Sequence, residues 1–296
     1  MTERVLIVGG GPVGATLALT LQKSGVPVTM LEARAKGAAY QDQRALALSY
    51  GSRRILEKLG VWAKLDAQAT AINTIHISQR GSLGRSLLKA QDHQLPALGY
   101  VLSYGALTKA LDEVLADFTG VETLYEAEAT HIQPSTDKAS VTFNYQQQSQ
   151  ALSSALLVLA DGGRSLGDIP GIQRETKMYG HDALVTKVKT ELPHENIAYE
   201  RFTPMGPVAL LPNGEDFSLV WTGKAEEIEK IMQLDDETFL QQLHQHFGDR
   251  VGRFLSVGRR LTFPLKLSYL NPVTAPHATP ARRYVGRPDS EEPDSR

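Results

Sequence analysis

The stretch RVLIVGGGPVGATLALTLQKSGVPVTMLEAR, residues 4–34, decides how the rest of the chain is read. Seventeen residues, Val5 to Leu21, carry no charge. A signal peptide or a membrane span would explain such a run, but Gly9, Gly10, Gly11 and Pro12 stand where a continuous apolar helix would have to pass. The segment before them holds one Arg and one Glu, so it lacks the positive flank of a secretory leader. A different reading accounts for the glycines. Arg4–Val8 is a short β-branched apolar run, as a strand buried on both faces requires. From Pro12 to Ser24 the period becomes helical, with Val13, Leu17, Ala18 and Leu21 on the expected apolar face and Gly25 as the stop. A second strand, PVTML, ends at Glu32. Strand, glycine turn, helix and strand make one βαβ unit.

Within it Gly9, Gly11 and Gly14 match G-x-G-x-x-G. The first lets the chain turn sharply out of the strand. The second lets a pyrophosphate approach bare backbone, and the third lets the helix pack close to the sheet. The helix N-terminus offers amide hydrogens and a positive dipole end to a diphosphate. Glu32, 18 residues past Gly14, stands where a carboxylate can accept hydrogen bonds from ribose hydroxyls. The plain alternative is a glycine-rich packing turn. The motif by itself does not choose between FAD and NAD.

The bulk numbers limit the rest. A length of 296 residues suits one large domain or two ordinary ones, and 42% hydrophobic with 22% charged residues is ordinary for a globular protein. The formal net charge of −2 gives no sign of a nucleic-acid partner. There is no cysteine, so disulfides, thiolate metal sites and cysteine nucleophiles are excluded, and a reducing, cytoplasmic setting is expected. No later run reaches membrane-spanning length, which leaves peripheral association open.

Further along, YQDQRALALSYGSRRILEKLGVW (40–62) begins with a polar loop and continues into a helix capped by Ser49 or Ser52, with Ile55, Leu56 and Leu59 inward and Gly60 as the stop. Leu107, Ala110, Leu111, Val114, Leu115 and Phe118 line another helix. ASVTFNY (139–145) alternates as a half-buried strand. Leu156–Ala160 is a strand ending in Asp161-Gly162-Gly163, an acid and a tight turn at the sheet edge where ligands bind in α/β folds; the bland reading is an ordinary strand-end turn. GPVALLPNGEDFSLVWTG (206–223) is a hairpin turning at Asn213-Gly214, and LTFPLKLSY (261–269) alternates again. A helix starts at Asp235 or Asp236, with Phe239, Leu240, Leu243 and Phe247 inward. His244 and His246 are two apart on it, so their rings diverge and no metal site is expected. AEEIEKIM (225–232) reads as a solvated helix face. The serine and lysine of LSYGALTK lack a base or third group for nucleophilic catalysis.

These stretches together resemble the group A flavoprotein monooxygenases, aromatic hydroxylases of the para-hydroxybenzoate hydroxylase type. Within them the chain is similar to the 2-polyprenylphenol hydroxylases of ubiquinone biosynthesis. The resemblance is carried by VLIVGGGPVGATLALTL, QRALALSYGSRRILEKLGVW, ADGGRS, and AYERFTPMGPVALLP with LVWTG. It runs from Val5 to about Tyr269, and ERFTPMGPVALLP is its most branch-specific part. It implies an α/β fold: a Rossmann-like FAD-binding domain, discontinuous over 1–71, 98–180 and 269–285, with an inserted strand-rich substrate domain over 72–97 and 181–268 and a disordered tail over 286–296. It implies that Gly9, Gly11, Gly14 and Glu32 bind the ADP half of FAD and that Arg44 reaches the flavin phosphate or ribityl region. Asp161 and Gly162 would serve FAD and the NAD(P)H reductant. The implied reaction hydroxylates a polyprenylated phenol with O2 and needs no side-chain nucleophile, so no catalytic residue is assigned. A polyprenyl tail implies work at the inner membrane surface or in a quinone-synthesis complex. On residues alone, Arg44 is equally a surface arginine in a polar loop.

The sequence departs from the family in two places. The family has an arginine three residues after the serine of its second motif, where this chain has Asp168 after Ser165. It also has a third motif, a Gly-Asp or Gly-Asn turn before a helix, where this chain reads NPVTAPHATPARRYVGRPDSEEPDSR (271–296). The change of composition at Val285 leads to the expectation of a C-terminally truncated, frameshifted hydroxylase product. Two alternatives stand beside an active monooxygenase: a non-catalytic flavin-binding remnant, and an NAD-dependent dehydrogenase using only the first βαβ unit.

Overall fold

The computed structural model describes residues 4–163, 169–272, 274–275 and 277–280. The chain divides into two compact units. One comprises residues 1–36, 117–176 and 267–296, the other 37–116 and 177–266.

The first unit is built on the βαβ segment. Leu6, Ile7 and Val8 of the strand Val5–Val8 are at most 3% exposed, so both faces of the strand are covered. It pairs in parallel with Val28–Glu32 on one side and Leu157–Leu159 on the other. Val121–Tyr125 and Ala278–Pro280 extend the sheet outward, giving five parallel strands with the leading strand at the centre. The helix Pro12–Lys23 packs on this sheet through Gly14, Ala15, Ala18 and Leu19. That stripe shares Ala18 with the expected one and differs elsewhere: Val13 is 43% exposed, and Gly14, Ala15 and Leu19 take the place of Val13, Leu17 and Leu21. Close helix–strand approach decides this, because a bulky residue on that face would push the helix away.

An antiparallel sheet of Glu128–Pro134, Ala139–Tyr145 and Gln148–Ser154 completes the unit. Val141 and Phe143 are fully buried against Leu6, Leu31 and Leu157. Its hairpin turns at Gln146 and Gln147, both with positive φ, the backbone that a two-residue hairpin with right-handed strand twist demands.

The second unit holds a mixed sheet of eight strands. Six run in the spatial order Phe254–Val257, Gln173–Thr190, Asp216–Lys224, Gly206–Asn213, Ile197–Thr203 and Thr74–Gln79, and Arg85–Lys89 lies at the edge. Leu261–Asn271 pairs with the long strand Gln173–Thr190. The helices Ala225–Met232 and Asp236–Phe247 supply Ile228, Ile231, Phe239, Leu243 and Phe247 to one core with Leu184, Val208, Leu210, Leu219 and Trp221. The first of these helices is therefore amphipathic and not merely a solvated face; its two isoleucines are at most 6% exposed.

The compact units divide the chain elsewhere than the expected domains do. Residues 37–71 and 98–116 group with the second unit. They share a small antiparallel sheet in which Gly99–Ser103 is flanked by Ala45–Ser49 and Thr70–Ile72. This sheet is tied to the rest of the unit by the cluster of Ile72, Val101 and Ala198 and by Thr70 and Ala71, which accept from the Gly214 amide and the Asn196 side chain. Ala45–Ser49 is a strand where a polar loop was expected. The helix Tyr50–Lys58 follows it at once, capped by Ser49, which accepts from the Ser52 amide. Leu56 and Leu59 turn inward as expected, whereas Ile55 is 52% exposed. Ser103 caps the helix Tyr104–Leu115, its Oγ accepting from the Ala106 amide. Among the described residues no helix is long and apolar enough to cross a membrane.

Candidate functional site

Three adjacent parallel strands of the first unit, Leu157–Leu159, Val5–Val8 and Val28–Glu32, bring their carboxyl ends to one edge. The Gly9 amide donates to the Leu31 carbonyl (2.7 Å), and the Ala160 amide to the Val8 carbonyl (2.7 Å), so the three ends are tied together at the turn. Gly9 sits at φ +106°, and a Cβ there would lie 2.5 Å from the backbone of Ala160 and Asp161. Both its conformation and its neighbour exclude a side chain. Gly14 is fixed more severely: its Cβ would come within 1.9 Å of the Gly9 carbonyl oxygen. The first and third glycines of the motif thus hold each other's backbone in contact.

Gly11 is the N-cap of the helix, its carbonyl accepting from the Ala15 amide (2.9 Å), and Pro12 follows inside the first turn. No side chain caps this N-terminus. The amide groups and the dipole end are left for a ligand of negative charge.

Glu32 closes the other side. It is 8% exposed. Its Oε2 accepts from the Gly10 amide (2.8 Å), and its Oε1 from the Arg34 amide (2.9 Å) and Nε (2.7 Å). Burial pushes its pKa up, but the hydrogen bonds and charge of Arg34 and the Gly10 amide together outweigh burial and hold the carboxyl below its ordinary value. Glu32 is therefore a carboxylate at neutral pH. Gly10 and Arg34 are residues the sequence reading passed over. The available signal was the middle glycine of the run, since a Cβ at residue 10 would meet the Glu32 Cβ at 2.9 Å.

At the third strand end, Asp161 Oδ1 accepts from the Gly163 amide (2.8 Å), an Asx turn made possible by Gly162 and Gly163 at φ +71° and +80°. The Gly163 carbonyl accepts from Arg174 Nη1 (2.6 Å), a second arginine that sequence reasoning missed. Ser165 and Asp168 lie outside the described residues, as do 286–296. Of the expected residues, Gly9, Gly11, Gly14, Glu32, Asp161 and Gly162 thus meet at one sheet edge.

Arg44 belongs to the second unit. Its Nε bonds both carboxylate oxygens of Asp42 (2.9 Å each), and its guanidinium lies 5.2 Å from the Tyr104 ring centre. The loop that carries it is fastened by Tyr40, whose hydroxyl donates to Asp112 (3.0 Å), and by the Gly105 amide, which donates to the Asp42 carbonyl (2.9 Å). Among the described residues no cluster of three or more ligating side chains could hold a metal ion.

A family profile described as FAD binding domain matches residues 2–265. Ubiquinone hydroxylase UbiL of Rhodospirillum rubrum is 34% identical over 272 residues, covering 90% of this chain and 62% of that protein. The 3-demethoxyubiquinol 3-hydroxylase of Escherichia coli is 26% identical over 255 residues, covering 84% of this chain and 64% of the relative. The chain thus spans less than two thirds of the length of these relatives. Among solved structures, p-nitrophenol 4-monooxygenase PnpA from Pseudomonas putida superposes with a TM-score of 0.73 at 16% identity, covering 94% of this chain and 72% of that one. The flavin-dependent halogenase CmlS gives 0.74 at 19% identity, covering 95% and 52%. At such identities these two likenesses speak for the fold.

Proposed function

The chain belongs to the FAD binding domain family, and from that membership we propose that it holds FAD at the edge where Gly9, Glu32 and Asp161 converge and serves the hydroxylation of a polyprenylated phenol in ubiquinone synthesis. The observation that carries the reading is the uncapped helix N-terminus at Gly11 beside a charged, buried Glu32. The amides of the helix's first turn take the diphosphate, and Gly11 keeps that approach clear of side chains. Glu32 takes the adenosine ribose. Its four acceptor positions are already used by the Gly10 amide and by three Arg34 donors, the weakest at 3.3 Å. The ribose hydroxyls displace the Arg34 guanidinium and leave the two backbone amides in place to orient the carboxylate. Asp161 holds the second turn, with Gly162 at its tip, against Gly9.

FAD bound there supplies the redox chemistry by which NAD(P)H and O2 place one oxygen atom on the phenol ring and release the other as water. The chain itself contributes binding, orientation and exclusion of water, and no side-chain nucleophile is assigned. The names of the relatives, ubiquinone hydroxylase and 3-demethoxyubiquinol 3-hydroxylase, support a quinone-precursor substrate. A substrate of that kind also supports peripheral work at a membrane or with other enzymes of quinone synthesis.

The test is purification of the chain with added FAD, followed by an absorbance spectrum and NAD(P)H oxidation with and without a prenylated phenol. Retained flavin absorbance and phenol-stimulated oxidation are expected. Flavin retained without turnover would sink the hydroxylase activity and keep the cofactor site. A colourless protein stabilised by NAD alone would overturn both in favour of a dehydrogenase.

A further inference from the structure

The mixed sheet of the second unit carries a second concentration of charge that the flavin reading does not use. His76 and Ser78 lie two apart on the strand Thr74–Gln79, hence on one face, and are 8% and 9% exposed. Register places Arg85 directly across from Ser78 on one neighbouring strand and Arg201 directly across on the other. Arg201 Nη1 donates to Ser78 Oγ (3.2 Å). Arg80 continues the same strand, its amide donating to the Phe202 carbonyl (2.8 Å). The covering helix Asp236–Phe247 adds His246, 7% exposed, and just beyond its end Arg250, whose Nη1 donates to the Phe247 carbonyl (2.6 Å).

These groups act on one another. Burial first, then Arg250, Arg85 and Arg201, depress the His76 pKa. Burial, then Arg80 and Arg201, depress that of His246. Arg201 itself is pushed down by burial, Arg250 and Arg80. Among the described residues none of the four arginines has a carboxylate partner. Three buried nitrogens of the group, Arg201 Nε, His76 Nδ1 and His246 Nδ1, have no hydrogen-bond partner.

Arg85 and Arg201 flank Ser78 from the two strands on either side of it, so like charges gather on one face of the sheet, and Arg201, partly withdrawn from water, needs a counter-charge. The chain as a whole is slightly acidic, with 33 carboxylate residues against 31 basic ones, so the absence of an acid at this corner does not follow from composition. Arg85 and Arg201 stand two strand spacings apart, about 9–10 Å, which leaves room for a tetrahedral anion between their side chains. Guanidinium forks are the side chains best matched to phosphate oxygens. We infer that this corner of the sheet is a binding site for a phosphate group, flanked by Arg85 and Arg201 and rimmed by Arg80 and Arg250. The phosphate belongs to a soluble phosphate compound or to the headgroup of an anionic lipid. The inference does not rest on the flavin site, and its test needs no flavin.

The Trp221 ring meets His246 edge-on at 4.6 Å, so its emission reports on the corner, and Trp62→Phe removes the other tryptophan. Inorganic phosphate is expected to change Trp221 emission saturably and raise the melting temperature, where chloride at matched ionic strength does neither. The double variant Arg85→Gln/Arg201→Gln is expected to bind phosphate at least about tenfold more weakly. Without phosphate it should melt above the parent, because like-charge repulsion has gone. Should the double variant fail to fold, the exposed rim variants Arg80→Gln and Arg250→Gln each give the same loss in smaller measure. Sedimentation with phosphatidylcholine vesicles, with and without phosphatidylglycerol, separates the sources. Binding confined to the anionic vesicles and competed by phosphate assigns a lipid headgroup. A phosphate response without vesicle binding assigns a soluble compound. Equal responses to phosphate and chloride, or undiminished binding by the charge-removing variants, would overturn the site.

Discussion

The Gly10 amide donates to Glu32 Oε2 across 2.8 Å, and a Cβ on residue 10 would come within 2.9 Å of the Glu32 Cβ. The two residues are 22 apart in sequence, and their contact joins the glycine turn to the tip of the second strand. The candidate cofactor site is thus braced from inside by the acid that is proposed to read the ribose.

Glu32→Gln tests that brace. An amide nitrogen in place of one oxygen confronts donors on both sides, and leaving one such donor unpaired costs about 1–3 kcal/mol. In the parent chain the folded-state pKa of Glu32 lies below its unfolded value. The carboxylate therefore contributes stability that is present above the ordinary glutamate range and lost as pH falls through the folded value. Urea denaturation across acidic pH should show this loss in the parent and a flatter profile in Glu32→Gln. Identical profiles would mean that Glu32 is not so held.

Gly14→Ala is expected to destabilise the chain by about 1–3 kcal/mol and to lower flavin retention, because its Cβ would lie 1.9 Å from the Gly9 carbonyl oxygen and the turn must shift. Gly25→Ala is the control. Gly25, unlike Gly14, has positive φ, +76°, but nothing stands within 4 Å of its Cβ position, so only backbone strain of about 1–2 kcal/mol applies. Flavin absorbance after purification separates the two: Gly25→Ala should keep flavin at the parent's level, and Gly14→Ala should retain less.

The βαβ unit was legible because its signals are local. Gly9, Gly11 and Gly14 keep a fixed spacing, the period changes from strand to helix at Pro12, and an acid follows the second strand. The turn at Asn213-Gly214 and the Asp235 cap were legible for the same reason. The Arg34 contact with Glu32 and the Arg174 contact with Gly163 were not, since no spacing rule points an arginine at a particular oxygen. The strand Ala45–Ser49 is hidden in the sequence because the polar YQDQR before it reads as a loop and ALALS is too short an apolar run to show a strand period before the helix begins. Its pairing with Gly99–Ser103, at least 50 residues away, settles the matter, and contacts of that sheet with Ala198, Asn196 and Gly214 place residues 37–71 in the second unit. Ala18 was legible in the buried stripe of the first helix, but Gly14 and Ala15 were not, because hydrophobicity favours Val13 and Leu17 while close packing favours the small residues.

Tyr40→Phe should loosen the loop that carries Arg44. Burial, then the hydrogen bond to Asp112, push the Tyr40 hydroxyl up to about 12. A phenol with a raised folded-state pKa contributes stability that is complete below its unfolded pKa, about 10, and lost as pH rises through the folded value. The variant should lose about 0.5–1.5 kcal/mol at neutral pH and show faster amide exchange over residues 37–44. It should also lose the alkaline decline in stability that the parent shows. Unchanged exchange would separate the Arg44 loop from Tyr40.

His246 gives the acid side of the profile a second component. Burial, then Arg80 and Arg201, lower its pKa from 6.5 to about 4. The unfolded chain therefore binds a proton that the folded chain refuses between these values, and stability falls as pH drops from about 6.5 toward 4. His76, lowered in the same direction, adds to the decline. Protonated imidazole at the edge of Trp221 quenches its emission, so in the Trp62→Phe background the fluorescence should titrate near the folded value and not near 6.5. His246→Gln removes the titration and flattens that part of the stability curve, although the lost ring packing lowers stability at pH 7. Adding the charge-removing change Arg201→Gln to the parent should raise the fluorescence midpoint, because one of the two cations that hold the ring neutral has gone. A midpoint that stays put would show that burial alone sets the histidine, and that the arginines are too well screened to matter there.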